Sequence, residues 1–173
     1  MMTRVRIGPK SQPTIGTPVP TPDIAQTKQA MDVFLKLAYP AQIPARVQNQ
    51  INALGADPES FLANPLFVVD PPTGTPEHYR ARLGNAFYPH MKFAIDLAPT
   101  RDRYLFRVDT HDRHCCPPPE NKEYPMFCEL MARNQALATQ IESAWEQAGL
   151  PTFKSFLKQD IERRKQLKSA AGN

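Results

Sequence analysis

Proline decides where this chain can be helical. Nineteen of its 173 residues are proline and only seven are glycine. A proline fixes φ, lacks an N–H to donate, and pushes the residue before it out of helical geometry. Proline sets boundaries, so the chain is finely punctuated. Pro9, Pro13, Pro18, Pro20 and Pro22 fall so densely that residues 1–20 are expected to form an extended, polyproline-like lead segment. Residues 21–168 are then a single globular domain, and residues 169–173 a frayed tail.

Between the prolines the hydrophobic spacing changes character. Thr21 and Pro22 predict a helix start, with Ile24, Met31, Phe34, Leu35 and Ala38 on one face and a stop at Tyr39-Pro40. Pro44 to Gly55 predicts a second, shorter helix, and Asp57-Pro58-Glu59 a short third one. Leu66-Phe67-Val68-Val69 reads as a strand, and Thr75-Pro76-Glu77 opens one or two further helical turns.

Phe93, Ile95 and Leu97 then alternate with small or polar residues, as do Tyr104, Phe106 and Val108 across a turn-like Pro99-Thr100-Arg101-Asp102. This is a β-hairpin. Pairing Phe93 with Val108, Ile95 with Phe106 and Leu97 with Tyr104 puts all six on one face, and a slip of one residue would break the match. On the other face the same register sets Lys92 against Asp109, Ala94 against Arg107 and His90 against His111.

Two helices end the chain. One spans about residues 121–148 with Phe127, Leu130, Met131, Leu137, Ala138, Ile141 and Trp145 as its stripe. The last is capped by Thr152, with Phe153, Phe156, Leu157 and Ile161 facing inward. The predicted fold is α+β: mostly helical, with a small antiparallel sheet centred on a hairpin at about 87–111 and a C-terminal helix pair packed on its apolar face.

The chemistry-bearing residues gather after the hairpin, in Asp109-Thr110-His111-Asp112-Arg113-His114-Cys115-Cys116. Imidazole and thiolate groups suit zinc in tetrahedral order, so His90, His111, His114, Cys115 and Cys116 form a candidate metal centre. The spacing lacks a Cys-x-x-Cys pair, and the competing reading is surface histidines with small buried cysteines. A metal-free alternative makes Cys115 or Cys116 a thiolate activated by His111 or His114. Residues so close in sequence seldom converge, and no reaction follows from them.

Lys92, Arg107 and Arg113 could receive a small anion, against the plainer reading of a cross-strand ion-pair ladder. The last helix holds six basic and two acidic residues, which equals the +4 net charge of the whole chain. Arg163, Arg164 and Lys165 are its candidate contacts for nucleic acid or an acidic partner, against a solvated helix end that suits the helix dipole.

No apolar run is long enough to span a membrane, and no secretory signal precedes the domain. Three cysteines, two of them adjacent, make no disulfide framework. The functional expectation is a small soluble cytoplasmic binding protein holding a metal ion or a small anion. The alternative is an assembly or nucleic-acid-associated protein, a homo-oligomer among the options, that uses its proline-rich lead and basic last helix.

Overall fold

The computed structural model describes residues 19–72, 91–111 and 118–172, without the side chains of Met91 and His111. Within them lie α1 (Ile24–Ala38), α2 (Ala45–Leu54), α3 (Pro58–Ala63), β1 (Leu66–Val69), β2 (Met91–Pro99), β3 (Tyr104–His111), α4 (Tyr124–Gln147) and α5 (Phe153–Ala171). The three strands form one antiparallel sheet in the order β1-β2-β3. The architecture is α+β, as the hydrophobic periods predict. The lead segment through residue 18, the turns expected near 75–84 and Asn173 lie outside the described residues.

Local chemistry sets most helix ends. Asp23 rather than Thr21 caps α1. Its carboxylate accepts from the Gln26 N–H at 2.7 Å while the Gln26 side chain accepts from the Asp23 N–H at 3.2 Å, a reciprocal box that satisfies two otherwise unpaired donors. Gly55 ends α2 at φ 57, a left-handed geometry that costs an L residue energy. Asp57 caps α3 with Pro58 at its first position. Thr152 caps α5 through the Ser155 N–H at 3.1 Å.

The core is the apolar face of the sheet, covered by α1 and α4. Phe34 of α1 stacks on Phe93 at 5.1 Å and leans on Phe67 at 6.1 Å. Trp145 of α4 packs on Phe106 at 5.8 Å, and its indole N–H donates to the Ala30 carbonyl at 3.0 Å. All of these rings but Phe67 are fully buried, and Phe67 is nearly so. Asp70, at the end of β1, ties the other side together. Its carboxylate accepts from Arg46 at 2.8 Å and from Gln50 at 3.0 Å, and its carbonyl accepts from the Tyr39 hydroxyl.

The hairpin register differs from the sequence expectation. Ile95 pairs with Val108, Asp96 with Arg107 and Leu97 with Phe106, a shift of two residues. Because strand side chains alternate with period two, the shift keeps every apolar residue on the predicted face. The turn explains it. Pro99 pairs with Tyr104, and the Thr100 N–H donates to the Arg103 carbonyl at 2.8 Å, while the Thr100 hydroxyl accepts the Arg103 N–H at 3.2 Å. This compact loop hydrogen-bonds internally, which the wider expected loop would forgo. A bulge between Met91 and Ala94 adds one residue to β2, so Met91 stands opposite His111.

β3 is an edge strand, yet its outward donors are satisfied. The N–H groups of Tyr104, Phe106 and Val108 donate to the Pro20 carbonyl at 3.0 Å, the Pro151 carbonyl at 2.9 Å and Glu142 Oε1 at 3.1 Å. Such cover prevents edge-to-edge association. It also fixes the start of α5 beside β3, through a parallel bridge between Phe106 and Thr152.

α4 and α5 form the expected C-terminal helix pair, but α5 is covered only near its start. Only its first turns touch the domain: Lys154 donates to Ser143 at 3.0 Å, and Lys158 lies 3.7 Å from Glu146. None of its residues is buried, and every residue from 161 to 172 is exposed. At ~1.5 Å per residue, this exposed stretch of helix is roughly 16 Å long.

Candidate functional site

The metal centre expected from the sequence is corrected by the structure. Among the described residues, no group of three or more histidine, cysteine, aspartate or glutamate side chains is placed to hold a metal ion. The register shift and bulge set Met91, not His90, opposite His111, so the strand pairing that was to bring two imidazoles together is not formed. His90, His114, Cys115 and Cys116 lie outside the described residues, as does the His111 side chain. A metal-binding cluster, zinc included, is therefore unsupported.

Two of the three proposed anion-binding cations carry a carboxylate already. Lys92 Nζ lies 2.8 Å from Asp109, reached across the bulge. Arg107 binds both oxygens of Asp96, at 3.1 and 2.6 Å, and this bidentate bond raises its pKa further. Arg113 lies outside the described residues. This sheet face is also less open than a two-layer reading predicts, since Ala94, Ala98 and Leu105 on it are buried.

Beside this ladder sits Glu142 of α4. Burial pushes its carboxyl above the ordinary value of 4.5, opposed by the Val108 N–H it accepts and by Lys154 and Arg107. Its hydrogen bond caps the sheet edge, which accounts for a carboxylate in a half-buried place.

The other sequence candidates, Arg163, Arg164 and Lys165, are brought to the surface of α5. Arg163 and Arg164 share Asp160, each at 2.7 Å, and Lys165 pairs with Glu162 at 2.8 Å. The bonds from Arg163 and Arg164 hold the Asp160 carboxyl below the usual carboxylate range. Lys168 makes no ion pair among the described residues.

The predicted inward stripe of α5 has no layer to face. Phe153 and Phe156 are half-buried, while Leu157 and Ile161 are 44% and 51% exposed and Leu167 is 61% exposed. Phe153, Leu157 and Ile161 recur at four-residue steps, so they share one helix face. Where α5 passes the β2–β3 turn, a groove of about 730 Å3 opens. Phe153, Phe156 and Leu157 line it together with Pro99, and its charged residues come from both elements. Phe153 stacks on Phe156 at 6.2 Å, and the Arg107 guanidinium lies over the Phe153 ring at 5.8 Å.

Arg101 and Arg103 in the turn face the same groove as Arg163 and Arg164. The sequence marked only the helical pair. Both turn arginines are visible in Thr100-Arg101-Asp102-Arg103, but their meeting with α5 depends on the Phe106–Thr152 bridge, which no local pattern encodes. Arg103 is held by Asp102 at 2.6 Å, a bond that also lowers the Asp102 pKa. Arg101 is exposed and makes no ion pair among the described residues.

No helix among the described residues is long and apolar enough to cross a membrane. Compared with known proteins, the chain matches no family model, no curated protein and no solved structure.

Proposed function

We propose that this protein is a non-catalytic assembly module that docks a macromolecular partner along α5. The observation that carries this reading is the free length of that helix. From residue 161 onward every described residue is exposed, Ile161 and Leu167 among them. Isolated helices of this length are marginal, because most helical stability in proteins comes from packing an apolar face. A second chain lying on α5 supplies that packing. The firm anchoring of its base supports the same reading. Thr152, Lys154 and Lys158 fix where the helix leaves the domain, so the docking element is presented in one direction.

The sedimentation of the protein in extract from cells making it at native level tests this. The reading expects the wild-type chain in a particle larger than its own 19.5 kDa, and the Ile161→Asp, Leu167→Asp double variant at monomer size. A wild-type chain that sediments as a monomer contradicts it.

A reducing compartment such as the cytoplasm is proposed as well: Cys128 is exposed and forms no disulfide among the described residues, and an oxidising compartment would leave such a thiol open to adventitious coupling.

A further inference from the structure

The geometry points to an acidic polypeptide segment with large apolar side chains as the occupant of the groove between the β2–β3 turn and α5. This rests on the docking reading above and names the partner's chemistry. The groove has an apolar floor, Phe153, Phe156 and Leu157, and walls that carry four arginines against two aspartates. Arginine forks match carboxylates in a planar, two-bond geometry, and Arg101 is the one with no carboxylate of its own among the described residues. Ile161, one turn past Leu157, is exposed beside this floor rather than lining it, and a partner helix with apolar residues at three- and four-residue steps lies along the floor, its acidic residues toward the arginines.

Charge disfavours the nearest competitor, a second copy of this chain pairing through its own α5. That would set two helices of +4 against one another. Nucleic acid fits less well than an acidic peptide for two reasons. Asp102 and Asp160 stand in the groove walls, and a strand carries a phosphate at every nucleotide, so it cannot avoid them, whereas a peptide places its few carboxylates selectively. Arg107 also lies over the Phe153 ring and Phe156 stacks beside it, which leaves less of that ring to a base.

Fluorescence anisotropy with defined probes tests this on the full chain. The first probe is a labelled helical peptide with glutamates flanking leucines at three- and four-residue steps. The second is the same peptide with glutamine for every glutamate. The third is an oligothymidylate of matching length. The proposal expects the acidic peptide to bind at least about tenfold more tightly than either of the others. It also expects Arg101→Glu and Leu157→Ser each to weaken that binding by about tenfold or more, with the circular dichroism of both variants unchanged, and Lys36→Glu, on the exposed side of α1, to leave it alone.

Tighter binding of the oligonucleotide overturns the proposal in favour of nucleic acid. Equal binding of both peptides, or equal loss in the Arg101 and Lys36 variants, overturns it as non-specific. No binding of any probe overturns it as well. In that last case the sedimentation measurement still decides separately whether α5 docks a partner of other chemistry.

Discussion

α4 and α5 adjoin in sequence and look alike as sequences, but the fold treats them in opposite ways. Both carry large apolar residues at helical spacing. α4 buries its stripe, with Phe127, Leu130, Ile141 and Trp145 nearly or wholly out of water. α5 buries nothing. The difference lies in what each helix meets. α4 lies across the sheet and α1, so each apolar side chain has a facing layer. α5 is fixed at its base by the strand edge and then runs out beyond the sheet. An amphipathic stripe therefore reports which residues share a face, and not whether a neighbour is there to receive it. On α4 the stripe stabilises the domain, and on α5 it is available to another chain.

The contrast breaks first at Trp145. Trp145→Ala removes the ring packed on Phe106 and the indole bond to the Ala30 carbonyl, and is expected to cost about 3–5 kcal/mol, read from urea unfolding. A loss below about 1 kcal/mol would mean that α4 is no more integral than α5.

A smaller effect is expected at Asp70. Asp70→Ala removes the carboxylate that accepts from Arg46 and Gln50 on the far side of the core, at a cost of about 1.5–3 kcal/mol. An unchanged denaturation midpoint would show that α2 and β1 are held by apolar packing alone.

Glu142 offers a pH-dependent comparison. Its folded carboxyl titrates above its ordinary 4.5, so the folded state holds that proton more tightly than the unfolded chain does. The stabilising contribution is complete below the unfolded value and is lost as pH rises through the folded one. Glu142→Gln keeps an oxygen for the Val108 N–H and cannot ionise. Thermal melts at stepped pH should therefore show this variant gaining on wild type as pH rises from about 4.5 toward neutrality. A constant gap across that range would sink this assignment. Asp160 runs the other way. Its depressed carboxyl stabilises above the usual carboxylate range and loses that contribution as pH falls through its lowered value.

The smallest effect belongs to the projecting helix. A chain ending at Asp160 is expected to unfold within about 0.5 kcal/mol of the full chain, because no buried contact is removed. A larger loss would place the distal turns of α5 in the domain after all.

Much of this was legible in the residues. The bounds of β1, the caps Asp57 and Thr152, the stop at Tyr39 and the left-handed Gly55 follow from local chemistry. The apolar face of the hairpin also follows, since alternation survives a two-residue shift. The register did not, because it is set by hydrogen bonds inside the Thr100–Arg103 loop that compete with the strands. With that shift and the bulge Met91, not His90, stands opposite His111, and the rest of the histidine–cysteine cluster lies outside the described residues. The ion-pair ladder was foreseeable from charge alternation, although Arg107 took Asp96 across the strands rather than facing Ala94. The groove was not foreseeable, because it forms where a turn and a helix about fifty residues apart are joined by one bridge.

Hydrogen–deuterium exchange of the isolated full chain separates the two helices in a single experiment. Amides of residues 161–171 are expected to exchange within about tenfold of unprotected rates, while those of Leu130–Trp145 stay protected to the level of global unfolding. Equal, strong protection in both helices would mean that α5 already has its packing partner within its own domain, and nothing would be left over for another chain to cover.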